Sequence, residues 1–457
     1  MSFMSLEHSA AIYSLLGFGD YADLFWEDSR TLSIRWEAGK IERFTGGLER
    51  GAGLRYLAGD ECRYACADDP ELEAFEALAR ELTPGLARQK PTPPTPVDIF
   101  RPAYKKPAEQ VTAELKVALL ERAYRAASLP GVRQITIGYG ENNRHLRIWT
   151  SEGKATEEWR SILTFSITVV AEKNGLLQTA YDSVSGTGGF EFFDLNDVVA
   201  LSRRVAERSV QRLDAPAAPL GEMPIIIAAS AGGTLIHEAI GHPLEADAVQ
   251  KDVSPTYKGS IGKVVANEKV SVLEDPTMPG QRGFYAFDDE GIAAERVVLI
   301  DHGVLKTYLY DRQTAALDRV RSNGHGRRES FRHRPIPRMA NTFVAPGPDD
   351  PQMILRSVSN GLLVTKMGGG QVEPATGDFV FEVEEAFLIN EGKAGPLIKS
   401  ANLLGNGPEV LKNIDLVGSD IGWSVGTCGK DGQGAPVSDG LPTLRISRGV
   451  IVGGLST

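Results

Sequence analysis

In His237-Glu238-Ala239-Ile240-Gly241-His242 two imidazoles flank a carboxylate, a grouping able to hold a divalent metal and to activate water beside it. Chemistry of that kind would make a metal-dependent hydrolase. The spacing is one residue longer than H-E-x-x-H, in which two histidines four apart share one helical face. At roughly 100° per residue, positions five apart point about 140° away from each other on a regular helix, too far to share one ion. The helix must absorb the extra residue in a π-type turn, or end at Gly241 and swing His242 back. Pro243 favours an end or a bulge, because proline disfavours helical geometry at the residue before it. The bland alternative is a chance pair in which one histidine is a satisfied surface residue. Seven histidines in 457 residues, with a glutamate in the expected place, weigh against it.

A catalytic zinc usually takes three protein ligands and keeps a fourth position for water. Glu245 and Asp247 lie close by, while His325 and Cys428 are distant candidates. Cys428 sits in Gly426-Thr427-Cys428-Gly429-Lys430-Asp431-Gly432-Gln433-Gly434, whose glycines permit turns that aim one side chain inward. A lone cysteine is more often a small buried hydrophobe than a ligand, so the residues alone leave the third ligand open. Gly368-Gly369-Gly370 could admit a substrate backbone, though such runs in β regions are more often turns or bulges. Arg338 and Asn341 could contact substrate or fix a loop, and no substrate-binding residue is assigned. Gly429-Lys430 lacks phosphate-loop spacing, and Ser185-Gly186-Thr187-Gly188-Gly189 lacks the context of a dinucleotide fingerprint. Cys62 and Cys66 have no partner pair and read as ordinary core or surface residues.

The elements that must position these groups read as α+β. Tyr21 to Trp36 and Ile41 to Leu57 are expected strands, with turns at Ala38-Gly39-Lys40 and Ala58-Gly59-Asp60, and Pro70 to Leu82 is an expected helix. Ala108 to Ala127 follows as an amphipathic helix, then strands Val132 to Gly138, Arg144 to Thr150 and Ile162 to Asn174, and a helix Leu195 to Leu213 capped by Asp194. Beyond residue 220 come one helix around the histidines and short β-like runs: Val264 to Val272, Glu295 to Ile300, Leu305 to Tyr310, Gly361 to Met367, Phe379 to Leu388 and Thr443 to Arg448. Two proline-rich stretches, Pro91 to Pro107 and Asp214 to Pro219, mark boundaries, the second being the main one. The expected organisation is an α/β domain 1–90, a linker 91–107, a second α/β segment 108–215, and a largely antiparallel β domain 220–457 carrying the metal-binding helix.

Composition, 42% hydrophobic and 24% charged, is that of a folded globular protein. A net charge of -11 with no basic cluster argues against direct nucleic-acid binding. Cys62, Cys66 and Cys428 are too few for a disulfide framework, which suggests a reducing compartment. The first residues show no secretory pattern, and the most apolar run, Ile225 to Ile236, is too short to span a membrane, so the cytoplasm is expected.

The run His237 to Asp247 is joined by Gly326-Arg327-Arg328-Glu329-Ser330, Pro335 to Thr342, Gly368 to Val372, Leu404-Gly405-Asn406-Gly407-Pro408 and Gly426-Thr427-Cys428-Gly429-Lys430. In this order the blocks resemble the TldD/PmbA family of metallopeptidases, and its TldD branch more closely. The start Asp20-Tyr21-Ala22-Asp23-Leu24 also fits. The resemblance implies zinc held by His237, His242 and Cys428, with Glu238 as the base that takes a proton from water. It implies a zinc metallopeptidase acting on small or unfolded peptides, working as a homodimer or beside a paralogue that lacks the metal motif. Two other readings remain: a scaffold or modulator subunit with a structural metal, and a zinc amidohydrolase of small molecules.

Overall fold

Alternation of apolar and polar residues through Tyr21–Glu37 turns Leu24 and Ile34 to one face and Asp23, Phe25 and Glu27 to the other, so both faces of this strand must be covered. In the computed structural model, which describes residues 6–68, 71–90, 92–399 and 401–454, both faces are covered. The strand returns through Ala38 and Gly39, at φ 49° and 75°, into Lys40–Ala58. Two consecutive positive φ values are the hairpin geometry whose twist matches the strands.

A seven-stranded sheet is ordered Glu61–Ala67, Lys40–Ala58, Tyr21–Glu37, Val132–Thr150, Ala155–Lys173, the last pairing with both Leu176–Thr187 and the short Asp98–Phe100. Residues on either side of the proline-rich stretch thus share one sheet. Within that stretch Asp98–Phe100 pairs in parallel at an edge, where proline-flanked strands are tolerated. Helices cover one face in two groups. Leu6–Leu15 and Leu72–Leu82 bury Leu24, Leu54 and Phe75 at one end, and Ala113–Ala127 and Val198–Asp214 bury Ile34, Ile137 and Phe165 at the other.

The other face meets the C-terminal region through buried charges. Asp23 accepts from Arg55 at 2.7 Å and from Arg328 at 3.2 Å, Arg55 reaches Glu290 at 2.7 Å, and Arg160 reaches Asp289 at 2.9 Å. The C-terminal region holds a six-stranded and a nine-stranded sheet around the largest apolar cluster of the described residues. Most pairs are antiparallel, but Asn341–Val344 with Gln433–Leu441, and Asn360–Val372 with Ile225–Ile227, run parallel. The fold is α+β with a β-rich C-terminal region.

Several elements differ from the sequence expectation. Val132–Thr150 is one strand, not two, because pairing on both sides carries it through the glycine and asparagine positions that suggested a turn. The helix expected from Leu195 starts at Val198, and its cap is Asp197, which accepts from Val199 and Ala200 N–H, rather than Asp194. Val264 to Val272 is largely irregular before the strand Val272–Glu274, and of the expected run Leu305 to Tyr310 only Leu305 lies in a strand, Val304–Leu305. Pro70, Pro91 and the chain ends, on which a helix start and domain limits were placed, lie outside the described residues.

Candidate metal centre

The buried strand Ile225–Ile227 delivers the chain through Ala229–Ala231 to the histidines. Gly232, at φ 75°, lies where an added Cβ would come 2.4 Å from the Ser424 side chain, and one on Gly233 would come 2.7 Å from Asp439 backbone. These contacts press the helix start against the hairpin Gly422–Lys430 and Gln433–Leu441. Thr234–Ile236 is α-helical, His237–Gly241 forms a single π-helical turn, and His242–Leu244 closes as a 3-10 turn. The π turn is one of the two devices expected from the spacing: it absorbs the additional residue and brings the two rings to a centroid distance of 5.0 Å. Gly241 is required there, since a Cβ would fall 1.8 Å from Met339 Sδ.

The hairpin brings Cys428, buried, to the same point, its Sγ 3.2 Å from His242 Nε2. One ligand atom from each of His237, His242 and Cys428 lies within 4.8 Å of the others. The opposite ring nitrogens are engaged: His237 Nδ1 lies 2.7 Å from Asp439 Oδ1, and His242 Nδ1 lies 3.0 Å from Glu245 Oε2. An ionised carboxylate only accepts, so each Nδ1 carries a proton and each Nε2 faces inward, where loss of its own proton would free a lone pair for a metal. Two inward imidazoles and one thiol form a donor set that fits zinc in type and number.

Burial opposes charge on both rings, but Asp439 and the Cys428 sulfur hold His237 well above its ordinary pKa, and Glu245 with Cys428 lifts His242 to about 10. Burial also opposes the thiolate, yet the two imidazoles bring Cys428 down to about 6. The pocket therefore favours a thiolate facing positive charge.

Glu245 and Asp247, considered as third ligands, are engaged elsewhere. Lys430 Nζ lies 3.1 Å from Glu245 and 2.6 Å from Asp247, clamping both carboxylates behind His242. Burial disfavours charge on Glu245, but Lys430 and His242 hold it down at about 2. His325 stands outside the cluster, buried with Nδ1 2.9 Å from Asn323 O, and burial lowers it to about 3. Glu238 is half-buried on the π turn, and no hydrogen bond or ion pair engages its carboxylate among the described residues.

Arg338 and Asn341 fix structure. Arg338 is buried and donates to the carbonyls of Cys428 and Gln433, bracing the hairpin, and Asn341 donates to Asp275 O at 2.8 Å. Gly368 to Gly370 lie in a strand with register irregularities from Val364 to Gly370, a bulged segment. Sequence reasoning missed Asp439, whose one available signal was its place on the strand following Cys428, and Lys430, whose role depends on tertiary contact.

Models of the PmbA/TldA metallopeptidase family match domain 1 over residues 22–83, the central domain over 106–213 and the C-terminal domain over 220–453. A "Metalloprotease TldD homolog" of Haemophilus influenzae is 34% identical over 451 residues, spanning 95% of this chain and 93% of the relative. A "Metalloprotease" of Methanothermobacter thermautotrophicus is 34% identical over 438 residues, spanning 95% and 96%. A crystal structure from Thermotoga maritima, of a protein proposed to modulate DNA gyrase, superposes with a TM-score of 0.81 over 98% of this chain and 99% of that one. At 19% identity that likeness speaks to fold alone.

Proposed function

This chain belongs to the PmbA/TldD family of metallopeptidases, and from that membership we propose that it hydrolyses peptide bonds with a zinc ion held by His237, His242 and Cys428. The convergence of these three donors, with both Nδ1 atoms tied to carboxylates, carries the proposal. When bound, zinc supplies Lewis acidity toward the scissile carbonyl and toward water. Asp439 and Glu245 hold the two rings in one tautomer and orientation. Glu238 takes a proton from the attacking water at a carboxylate oxygen and delivers it to the leaving amine nitrogen as the C–N bond breaks. Its freedom from other partners suits that shuttle.

Small or unfolded peptides are the proposed substrates. Ile225–Ile227 covers Asn360–Val372 only from Leu362 to Val364, so the bulged continuation through Gly368 to Gly370 offers backbone groups for an extended chain to pair with. Such pairing reads main chain more than side chain, which suits broad specificity. The assembly proposed is a homodimer or a pair with a metal-free paralogue, enclosing the site. No helix of the described residues is long and apolar enough to cross a membrane, and a cytoplasmic location is proposed with the reducing conditions that keep Cys428 a thiol. With Glu245 and Asp247 engaged by His242 and Lys430, three protein donors would hold the metal and water could complete its shell, which favours catalysis over a structural metal.

The test is cleavage of unstructured peptides by purified protein, with metal content measured in parallel. Glu238→Gln is expected to keep the metal and lose roughly 10²–10⁴-fold in turnover. Equal cleavage by that variant would sink the mechanism, and turnover of small amides with none of peptides would favour the amidohydrolase reading.

A further inference from the structure

On the helix-covered face of the seven-stranded sheet, the two helical groups leave a gap filled by neither apolar cluster. The register places six side chains there. Asp28 stands opposite His145 and Arg30 opposite Asn143, and these in turn stand opposite Trp159 and Ser161. Directly paired residues share a face, so all six point away from the metal centre's side, to which Glu27 and Arg160 turn. Over them runs the chain from Arg101 to Gln110, bordering a half-open cavity of about 420 Å³, within the range of small-ligand pockets.

The roof is fixed before any ligand arrives. Lys105 and Lys106 N–H donate to the Glu191 carboxylate at 2.9 and 2.8 Å, Phe190 N–H donates to Lys106 O at 2.7 Å, and Asp98–Phe100 is paired to the sheet. Pro102 and Pro107 limit its motion further.

Two polar groups of this cavity, one exposed and one buried, have no hydrogen-bonding or charged side-chain partner among the described residues. The Arg101 guanidinium lies 4.9 Å over the Trp159 ring, whose other neighbour is the stacked His145 imidazole at 4.2 Å, and no carboxylate pairs with it among the described residues. Ser161 is 5% exposed and its hydroxyl has no hydrogen-bond partner among the described residues. Buried hydroxyls are almost always satisfied, so one without a partner in a residue that lines a cavity is a donor still to be matched. The nearby Asp28 does not answer Arg101, being held by Arg50 at 2.6 Å. The apolar walls are Pro102, Pro107 and Ala108.

We propose that this cavity is a second ligand site, which takes the carboxylate of a small organic acid or of a peptide end between Arg101 and Ser161, its apolar remainder against the prolines. An arginine fork and a hydroxyl are the donors a carboxylate selects, and an amide in the same place forfeits the charge.

The experiment is calorimetric titration of the full-length protein with benzoate, with N-acetyl-phenylalanine and with N-acetyl-phenylalaninamide, repeated on Arg101→Gln and Ser161→Ala. Arg101 is exposed and the Ser161 hydroxyl has no partner to lose, so both variants should melt with the wild type. The expected result is saturable binding of a carboxylate, absent for the amide and weakened about tenfold or more in each variant. Tighter binding of N-acetyl-phenylalanine than of benzoate identifies a peptide end, and the reverse order a free organic acid. No saturation by about 10 mM, equal binding of acid and amide, or unchanged binding by both variants overturns the proposal. Carboxylate binding at the His237, His242 and Cys428 centre would be untouched by either substitution, so this outcome and the peptidase test fail independently.

Discussion

Asp439 shows how much a single carboxylate can decide. It makes no contact that sequence spacing foretells, yet it holds His237 Nδ1 at 2.7 Å and so determines which ring nitrogen faces Cys428. Asp439→Asn keeps the shape and removes the charge, and an amide in that place can present N–H to the ring and reverse the tautomer. Metal affinity is expected to fall about 10–100-fold in a competition titration with a chromophoric chelator, and an unchanged affinity would remove Asp439 from the account. Cys428→Ala deletes a donor outright and should abolish stoichiometric zinc in metal analysis while the fold persists, since the thiol packs in the apolar cluster. That His237, Glu238 and His242 were candidates was legible in the sequence, because it depends on residue identity and near spacing. Asp439 and Lys430 were not, because an orienting contact exists only once two distant segments meet.

At the scale of elements the π turn and the hairpin act together. The turn exists because five positions must span what four do in a regular helix, and Gly241 exists because Met339 occupies the space of its Cβ. Gly241→Ala is expected to destabilise by about 1–3 kcal/mol in urea unfolding, the usual cost of overpacking, and to lower zinc occupancy by displacing His242. Met339→Ala in the same chain should recover part of the His242 geometry, measured as zinc content, because the offending sulfur is gone. Absence of any recovery would mean that Met339 is not what excludes a Cβ at Gly241. The long strand Val132–Thr150 teaches the converse. Its glycines and asparagines read locally as a break, but pairing with Tyr21–Glu37 on one side and Ala155–Lys173 on the other outweighs local preference. The cap of Val198–Asp214 moved from Asp194 to Asp197 for a similar reason: both are good caps, and Asp194 was taken into the short helix Phe192–Leu195.

At the scale of the whole molecule, buried ion pairs join the N-terminal sheet to the β-rich region that carries the metal centre. Asp23 is fully buried and answers both Arg55 and Arg328, whose side chains are equally buried. Removing it leaves Arg328 without a carboxylate partner among the described residues and Arg55 with Glu290 alone, in a medium that cannot solvate them. Asp23→Ala is expected to lower stability by about 3–5 kcal/mol in urea unfolding, and a loss under about 1 kcal/mol would mean that water reaches this interface. The block Gly326 to Ser330 gains its meaning here: Arg328 serves the junction between the two regions rather than a substrate.

The sequence by itself brought forward the two histidines with Glu238 between them, the irregular helix and most strands, all matters of residue type and of geometry within a few positions, while Cys428 was reached as the third ligand only through the family resemblance. Only the tertiary structure decided what stands 186 residues from His242. Cys428 and Asp439 reach the histidines because the burial of apolar residues sets the register of the hairpin Gly422–Lys430 and Gln433–Leu441. The cavity beneath Arg101 arises in the same way, from the gap between two helix groups on one sheet face. Local periodicity is written in each segment, whereas the meeting of segments is a property of how all of them bury their apolar faces at once.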